Sequence, residues 1–239
     1  MARRRVLTLT LWSLGAFAVL CGLGIWQIER LHWKEGLIAE RTVATSGSPI
    51  AVPRSLDAAR SLDFHRAQAK GQFLYDHEIP VHAIERQSGA AGYLVMTPLR
   101  LEDGAVVLVE RGWVPTEKRD AATRAAGNPP GAVTVDGLLR LAPTEKPGWF
   151  LPANDPARGE WFWIDLPAIA RAAGVAETLP FYLEAGHAPN PGGFPVGGQA
   201  NTELRNDHLQ YAITWFALAG ALVVIYLLVL RRELTAARP

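Results

Sequence analysis

Asp76, His77, Glu78 and His82 stand close together in the chain and are the residue types that hold metal ions. In an extended segment, an odd separation puts the two imidazoles on opposite faces, which reads as surface or turn histidines. Nucleophilic chemistry has as little support. There are six Ser, none in G-x-S-x-G, and no P-loop, H-E-x-x-H or dinucleotide fingerprint. Cys21 is the one cysteine, inside an apolar run. That excludes thiol oxidoreductases, Cys-based copper carriers and covalent c-type haem attachment, and leaves the fold without a disulfide.

Two other clusters are more specific. In Leu23–Lys34 (LGIWQIERLHWK), the residues Trp26, Gln27, Arg30 and Lys34 fall near one another over two helical turns. In Leu204–Trp215 (LRNDHLQYAITW), Asp207 with Gln210 three residues later resembles a capping box, so a helix is expected to start there. His208, Tyr211 and Trp215 then share one face, with Arg205 just ahead of them. The simpler reading is also open: Trp anchors at membrane interfaces, and Arg and Lys snorkel toward them.

The elements that must position these clusters are two apolar runs. Residues 6–28 and 211–230 carry no charge, and each is long enough as a helix to cross a hydrocarbon core of about 30 Å. A cleaved signal peptide fits poorly, because the first run is too long and no A-x-A-like site follows; a mitochondrial presequence has no room ahead of residue 6. Arg3, Arg4 and Arg5 precede the first span, and Arg231, Arg232 and Arg238 follow the second. Both termini are therefore expected in the cytoplasm of a bacterium, with the chain crossing the inner membrane twice and the central part in the periplasm. The expected layout is a tail at 1–5, a span at 6–28, a domain at 29–207, a span at 208–230 and a tail at 231–239. Residues 31–207 carry a net charge of −4, so the lipid bilayer is an expected partner and nucleic acid is not. The spans are expected to pair through Gly15, Ala18 and Gly22 against Ala217 and Ala221.

Between the spans, runs at 64–75, 78–86, 92–101, 105–114, 131–141, 161–165 and 180–185 read as strands, with a helix at 166–174. Glu102-Asp103-Gly104 marks a hairpin at 92–114. The expected fold is a β-rich α+β domain, mostly antiparallel and possibly barrel-like, flanked by two transmembrane helices. Residues 42–62 and the Gly/Pro-rich 186–201 do not fit a globular pattern, and the second reads as a linker. In Arg111-Gly112-Trp113-Val114-Pro115 the Trp is expected to pack at a corner. Asn154, Asp155, Trp161 and Asp165 are expected to serve loop geometry and core.

LGIWQIERLHWK, GYLVMTPLRLEDGAVVLVERGWVP, LPANDP with WFWIDL, and LRNDHLQYAITWFALA occur in this order between the two spans. That set resembles the Surfeit locus protein 1 family over almost the whole chain. The resemblance implies a non-enzymatic assembly factor for haem-copper oxidases such as cytochrome c oxidase, acting on oxidase subunit I as haem a is inserted. It also implies contact with the machinery that makes haem a, and places the family histidine at His208. Haem a is a large apolar ligand with two carboxylates, so it needs an imidazole for iron, flanking apolar groups and cations. His208 is then the expected iron ligand, Trp26, Tyr211 and Trp215 the flanking rings, and Arg30, Lys34 and Arg205 the partners of the propionates. His208 capping its helix or bonding the domain is the structural alternative. A haem-free scaffold for subunit I and a membrane-anchored periplasmic enzyme are the competing functions.

Overall fold

Both uncharged runs are helical, which pairs the backbone polar groups of each run within the run itself. The computed structural model describes residues 2–175 and 177–236. Arg238 and the last residues of the 231–239 tail lie outside the described residues. In chain order the elements are α1 (Ala2–Ser46), β1 (Ile50–Ala51), α2 (Leu56–Ala59), β2 (Arg66–Phe73), β3 (Ile79–Ile84), β4 (Ala91–Leu101), β5 (Val106–Pro115), β6 (Ala132–Arg140), α3 (Leu166–Ala172), β7 (Tyr182–Ala185) and α4 (His208–Ala236). Short 3₁₀ turns connect several of them. The chain divides into a helical unit, α1 up to Glu40 with the chain from Glu203 onward, and a β unit, Arg41–Thr202.

In the helical unit, α1 and α4 are both long and apolar enough to cross a membrane. With 45 residues, α1 is about 67 Å long, far beyond the uncharged stretch. The less exposed positions recur by fours and threes: Val6, Thr10, Ser13, Leu20, Gly24 and Gln27 on α1, and His208, Ala212, Trp215, Ala219, Leu222 and Tyr226 on α4. That 3.5-residue repeat is the signature of a left-handed seam, and contacts of Thr10 with Tyr226 and of Gln27 with His208 make it antiparallel. Thr10 Oγ1 meets the Tyr226 hydroxyl at 2.8 Å near one end, and Arg5 faces Glu233 at 3.8 Å. The small residues at the seam are Gly24, Ala212 and Ala219. Gly15, Ala18, Gly22, Ala217 and Ala221 are exposed instead: small size alone selected them, whereas the repeat decides which face is shared.

In the β unit, β2, β6, β7, β5 and β4 form a ring, closed by pairing of β2 with β4 through Gly71↔Leu101 to Phe73↔Leu99. β1 adds to β2 and β3 to β4. The pairing is mostly antiparallel; β1 with β2 and β5 with β7 are the parallel pairs. The sheet is thus mixed and barrel-like. Alternation along the strands separates two cores. Ala67, Ala69, Leu99, Val107, Val109, Leu139 and Leu183 fill the ring with Phe181 and Ala59. Met96, Leu108 and Tyr182 point the other way and pack under Trp161, Leu166 and Ile169, which is why β4 and β5 are buried on both faces.

Three segments differ from expectation. Residues 161–165 form no strand. Trp161 is buried and its carbonyl accepts from His82 N at 2.7 Å, while Asp165 caps α3 by accepting from Ala168 N at 3.1 Å. Aromatic alternation here reflects one edge contact and a helix start. Residues 42–62 are ordered as the end of α1, β1 and α2, the last capped by Ser55, and Val52 and Ala59 are buried in the barrel core. Residues 186–201, expected as a linker, are held to the barrel: Trp113 and Val196 exchange both backbone hydrogen bonds at 2.8 Å, and Gly198 N donates to Ala185 O. Gly112 explains the corner beside them. Its φ is +129°, and a Cβ would lie 2.2 Å from the Val196 carbonyl oxygen, so only glycine fits.

One buried group predicts a pH effect. Glu110 is buried, its Oε1 has no hydrogen-bond partner, and it pairs in register with Glu184. Glu184 is held by Arg140 at 2.5 Å. Burial, and then the neighbouring Glu184, pushes the Glu110 carboxyl well above the usual carboxylate range. A raised folded value costs nothing below the unfolded pKa, and stability falls as pH rises from there toward the folded value. Glu110→Gln is therefore expected to stabilise the full chain at pH 8 and to give no gain at pH 4. Each unit of displacement is worth about 1.4 kcal/mol. Melting curves of both proteins at the two pH values check this; an equal difference at both would contradict it.

Candidate functional site

A polar side chain in a membrane-crossing helix is costly unless it is paired, so its partner marks the place to look. Gln27 lies inside the uncharged stretch of α1, a helix long and apolar enough to cross a membrane, and is only 8% exposed. His208, the first residue of α4, donates from Nδ1 to Gln27 Oε1 at 2.7 Å. With the proton held on Nδ1, the other ring nitrogen, Nε2, keeps its lone pair. The start of α4 is organised around it. Asn206 Oδ1 accepts from His208 N at 3.4 Å, Tyr211 N bonds to the Asp207 carbonyl at 3.2 Å, and the Asp207 carboxylate pairs with Arg205 Nε at 2.5 Å. Asp207 therefore holds Arg205 where a capping box with Gln210 was expected.

Gln27, Arg205, Asp207, His208 and Tyr211 line one open recess of about 240 Å³. His208, Tyr211 and Arg205 all stand in this lining. Gln27, which was not among the expected ligand-contacting residues, joins them. The others are placed apart from this lining. Trp26 is 52% exposed, next to Gln27 on the helix but turned from the seam. Arg30 stacks its guanidinium over Trp33, 3.8 Å from the ring centre. Lys34 is half-buried one turn further on, and Trp215 is half-buried at the next seam position of α4. Arg205 is 86% exposed on its side chain despite the pairing with Asp207, so it is free to re-pair. The donor set fits a haem in outline: an imidazole with a fixed tautomer, an adjacent phenol ring and an exposed guanidinium.

The β unit holds its own charged clusters. Asp76, His77, Glu78 and His82 do not converge. His77 Nδ1 donates to Ala173 O at 2.6 Å, and His82 Nε2 donates to Glu160 Oε2 at 2.5 Å. His82 also stacks on Phe162, with centroids 4.8 Å apart. That bond holds the Glu160 carboxyl below the usual carboxylate range. Glu78 turns inward to Arg124 and to Arg111, whose Nη1 is 3.9 Å away. Among the described residues, no three His, Cys, Asp or Glu side chains come together as a metal site. Trp113 packs at its corner and is buried. Asn154 accepts from the Phe162 and Trp163 amides and donates to the Trp163 carbonyl, so the LPANDP and WFWIDL motifs are one closed loop.

Known proteins are similar to this chain over most of its length. The SURF1 family profile matches residues 14–220, from the first span through the barrel to the middle of α4. A SURF1-like protein of Monosiga brevicollis is 36% identical over 233 residues, covering 92% of this chain and 87% of that protein. Surfeit locus protein 1 of Takifugu rubripes is 35% identical over 217 residues, covering 84% and 88%. The Homo sapiens protein of that name is 34% identical over 215 residues, covering 84% and 70%. With this coverage and these identities, the chain belongs to the SURF1 family.

Proposed function

We propose that this chain is a non-enzymatic assembly factor for a haem-copper oxidase of a bacterial inner membrane, and that His208 offers Nε2 to the iron of haem a on its way into subunit I. The observation that carries this reading is the His208–Gln27 bond at 2.7 Å. Metal-ligating histidines almost always donate their other ring N–H to a fixed acceptor, which sets the tautomer and aims the lone pair. Tyr211 lines the same recess as the imidazole, and Arg205 is the cation available to a propionate once it leaves Asp207. Arg30 and Lys34, one and two turns beyond Gln27, are the remaining candidates for such a contact. Haem a, when bound, supplies the redox centre and the colour; this chain supplies position and a ligand.

A second reading rests on the same bond. Gln27 and His208 also join α1 to α4, as Thr10 and Tyr226 do at the other end, so His208 is equally suited to clasp a scaffold that binds subunit I without haem. Haem a content of the purified oxidase, in a strain lacking this protein and complemented with the wild-type or His208→Ala chain, separates them. The expected result is haem-a-poor oxidase without the chain, restored by the wild type and not by His208→Ala. Full restoration by His208→Ala favours the scaffold, and normal oxidase without the chain overturns the assembly role.

A further inference from the structure

Large aromatic side chains at the tip of a structured loop gain nothing in water, and the β unit presents such a tip at Trp149 and Phe150. Trp149 is 91% exposed and Phe150 72%. Their rings meet edge to face with centroids 6.3 Å apart, so they pack on each other while staying exposed. The loop around them is built to hold them out. Lys146 Nζ donates to the Leu151 carbonyl at 2.8 Å, closing the tip, and Gly148 N donates to the Lys146 carbonyl at 2.9 Å. Gly148 takes φ +96°, and a Cβ there would lie 2.9 Å from the Phe150 ring, so the turn that presents the ring needs glycine. At the far base, Asn154 fixes the chain through three hydrogen bonds to Phe162 and Trp163.

Chemistry and tethering decide the occupant. Residues 147–154 (PGWFLPAN) carry no charge, and the nearest cation, Lys146, has its ammonium folded back over them. Trp beside Phe, with a basic residue at the rim, is the composition that partitions into the interfacial layer of a bilayer. The domain carrying this loop is joined at both its ends to helices long and apolar enough to cross a membrane. A bilayer surface is thus present at high effective concentration throughout the life of the chain, which a separate protein partner is not.

We propose that Trp149 and Phe150 insert into the lipid headgroup and upper acyl region and act as a third membrane contact for the β unit, besides the two helices. The test uses the full chain in a Cys21→Ser background, spin-labelled at Pro152→Cys so that both rings remain, in vesicles of phosphatidylcholine and phosphatidylglycerol that contain no other protein. A control label goes at Asp57→Cys, whose side chain is 92% exposed. The label at 152 is expected to collide several-fold more with oxygen than with a water-soluble nickel chelate, relative to the control. Adding Trp149→Ser and Phe150→Ser should return it to the control value. A label at 152 as open to the chelate as that at 57 would overturn the proposal, and so would lipid contact that survives loss of both rings.

Discussion

Removing the Glu78 carboxylate is expected to cost the β unit about 3–5 kcal/mol, the usual penalty for breaking a buried ion pair from one side. The side chains involved are nearly sealed from water: Glu78 is 9% exposed, Arg124 2% and Arg111 3%. Their other partners are neutral, the Gly127 carbonyl and Asn128 Oδ1 for Arg111 and the Lys118 carbonyl for Arg124. Glu78→Ala would leave two guanidiniums in low dielectric with no counter-charge. Burial already lowers the Arg111 pKa. Since a domain of this size has only about 5–15 kcal/mol to lose, a fall in Tm on the order of 10 °C is expected for the full chain in detergent. Glu78→Gln, which keeps an acceptor, should fall in between. A change within the scatter of surface substitutions would show that the charge is not what holds this corner.

The second large effect concerns the helix pair. His208→Ala is expected to lower haem a affinity at least 100-fold, while leaving the chain folded and membrane-bound. The lost hydrogen bond to Gln27 is worth only about 0.6 kcal/mol, and at most about 1.7, between membrane helices. Gln27→Ala keeps the ligand but frees the tautomer and the ring orientation, so a loss of about 10–100-fold is expected with the ligand field unchanged. Haem retained per protein after purification, read with the position of the absorption bands, distinguishes the two variants. Equal retention by all three proteins would remove the site from the start of α4.

Much of this architecture is legible in the residues. Alternating apolar runs give β2 to β6 to within a few residues, and Glu102-Asp103-Gly104 marks the β4–β5 hairpin. The parallel insertion of β7 between β5 and β6 is not legible, because it is fixed by closure of the ring and not by any local signal. WFWID misleads because burial of Trp161 and capping by Asp165 imitate a strand's alternation. The Gly/Pro content of 186–201 marks tight backbone approach to the barrel as readily as it marks a tether. Of the residues expected at the site, His208, Tyr211 and Arg205 line the recess at the start of α4. Gln27 shows the missed signal: one amide in an otherwise apolar span asks for a partner, and the 3.5-residue repeat through His208 and Tyr226 points to where that partner lies.

The most direct measurement on His208 as an iron ligand is chemical rescue. Full-length His208→Gly protein, purified from a host that makes haem a, should lack the haem absorption bands expected of the wild-type protein purified in the same way. Free imidazole, able to fill the space left by the side chain, should restore bound haem with wild-type bands. A His208→Gly spectrum identical to the wild type before imidazole is added would contradict the assignment.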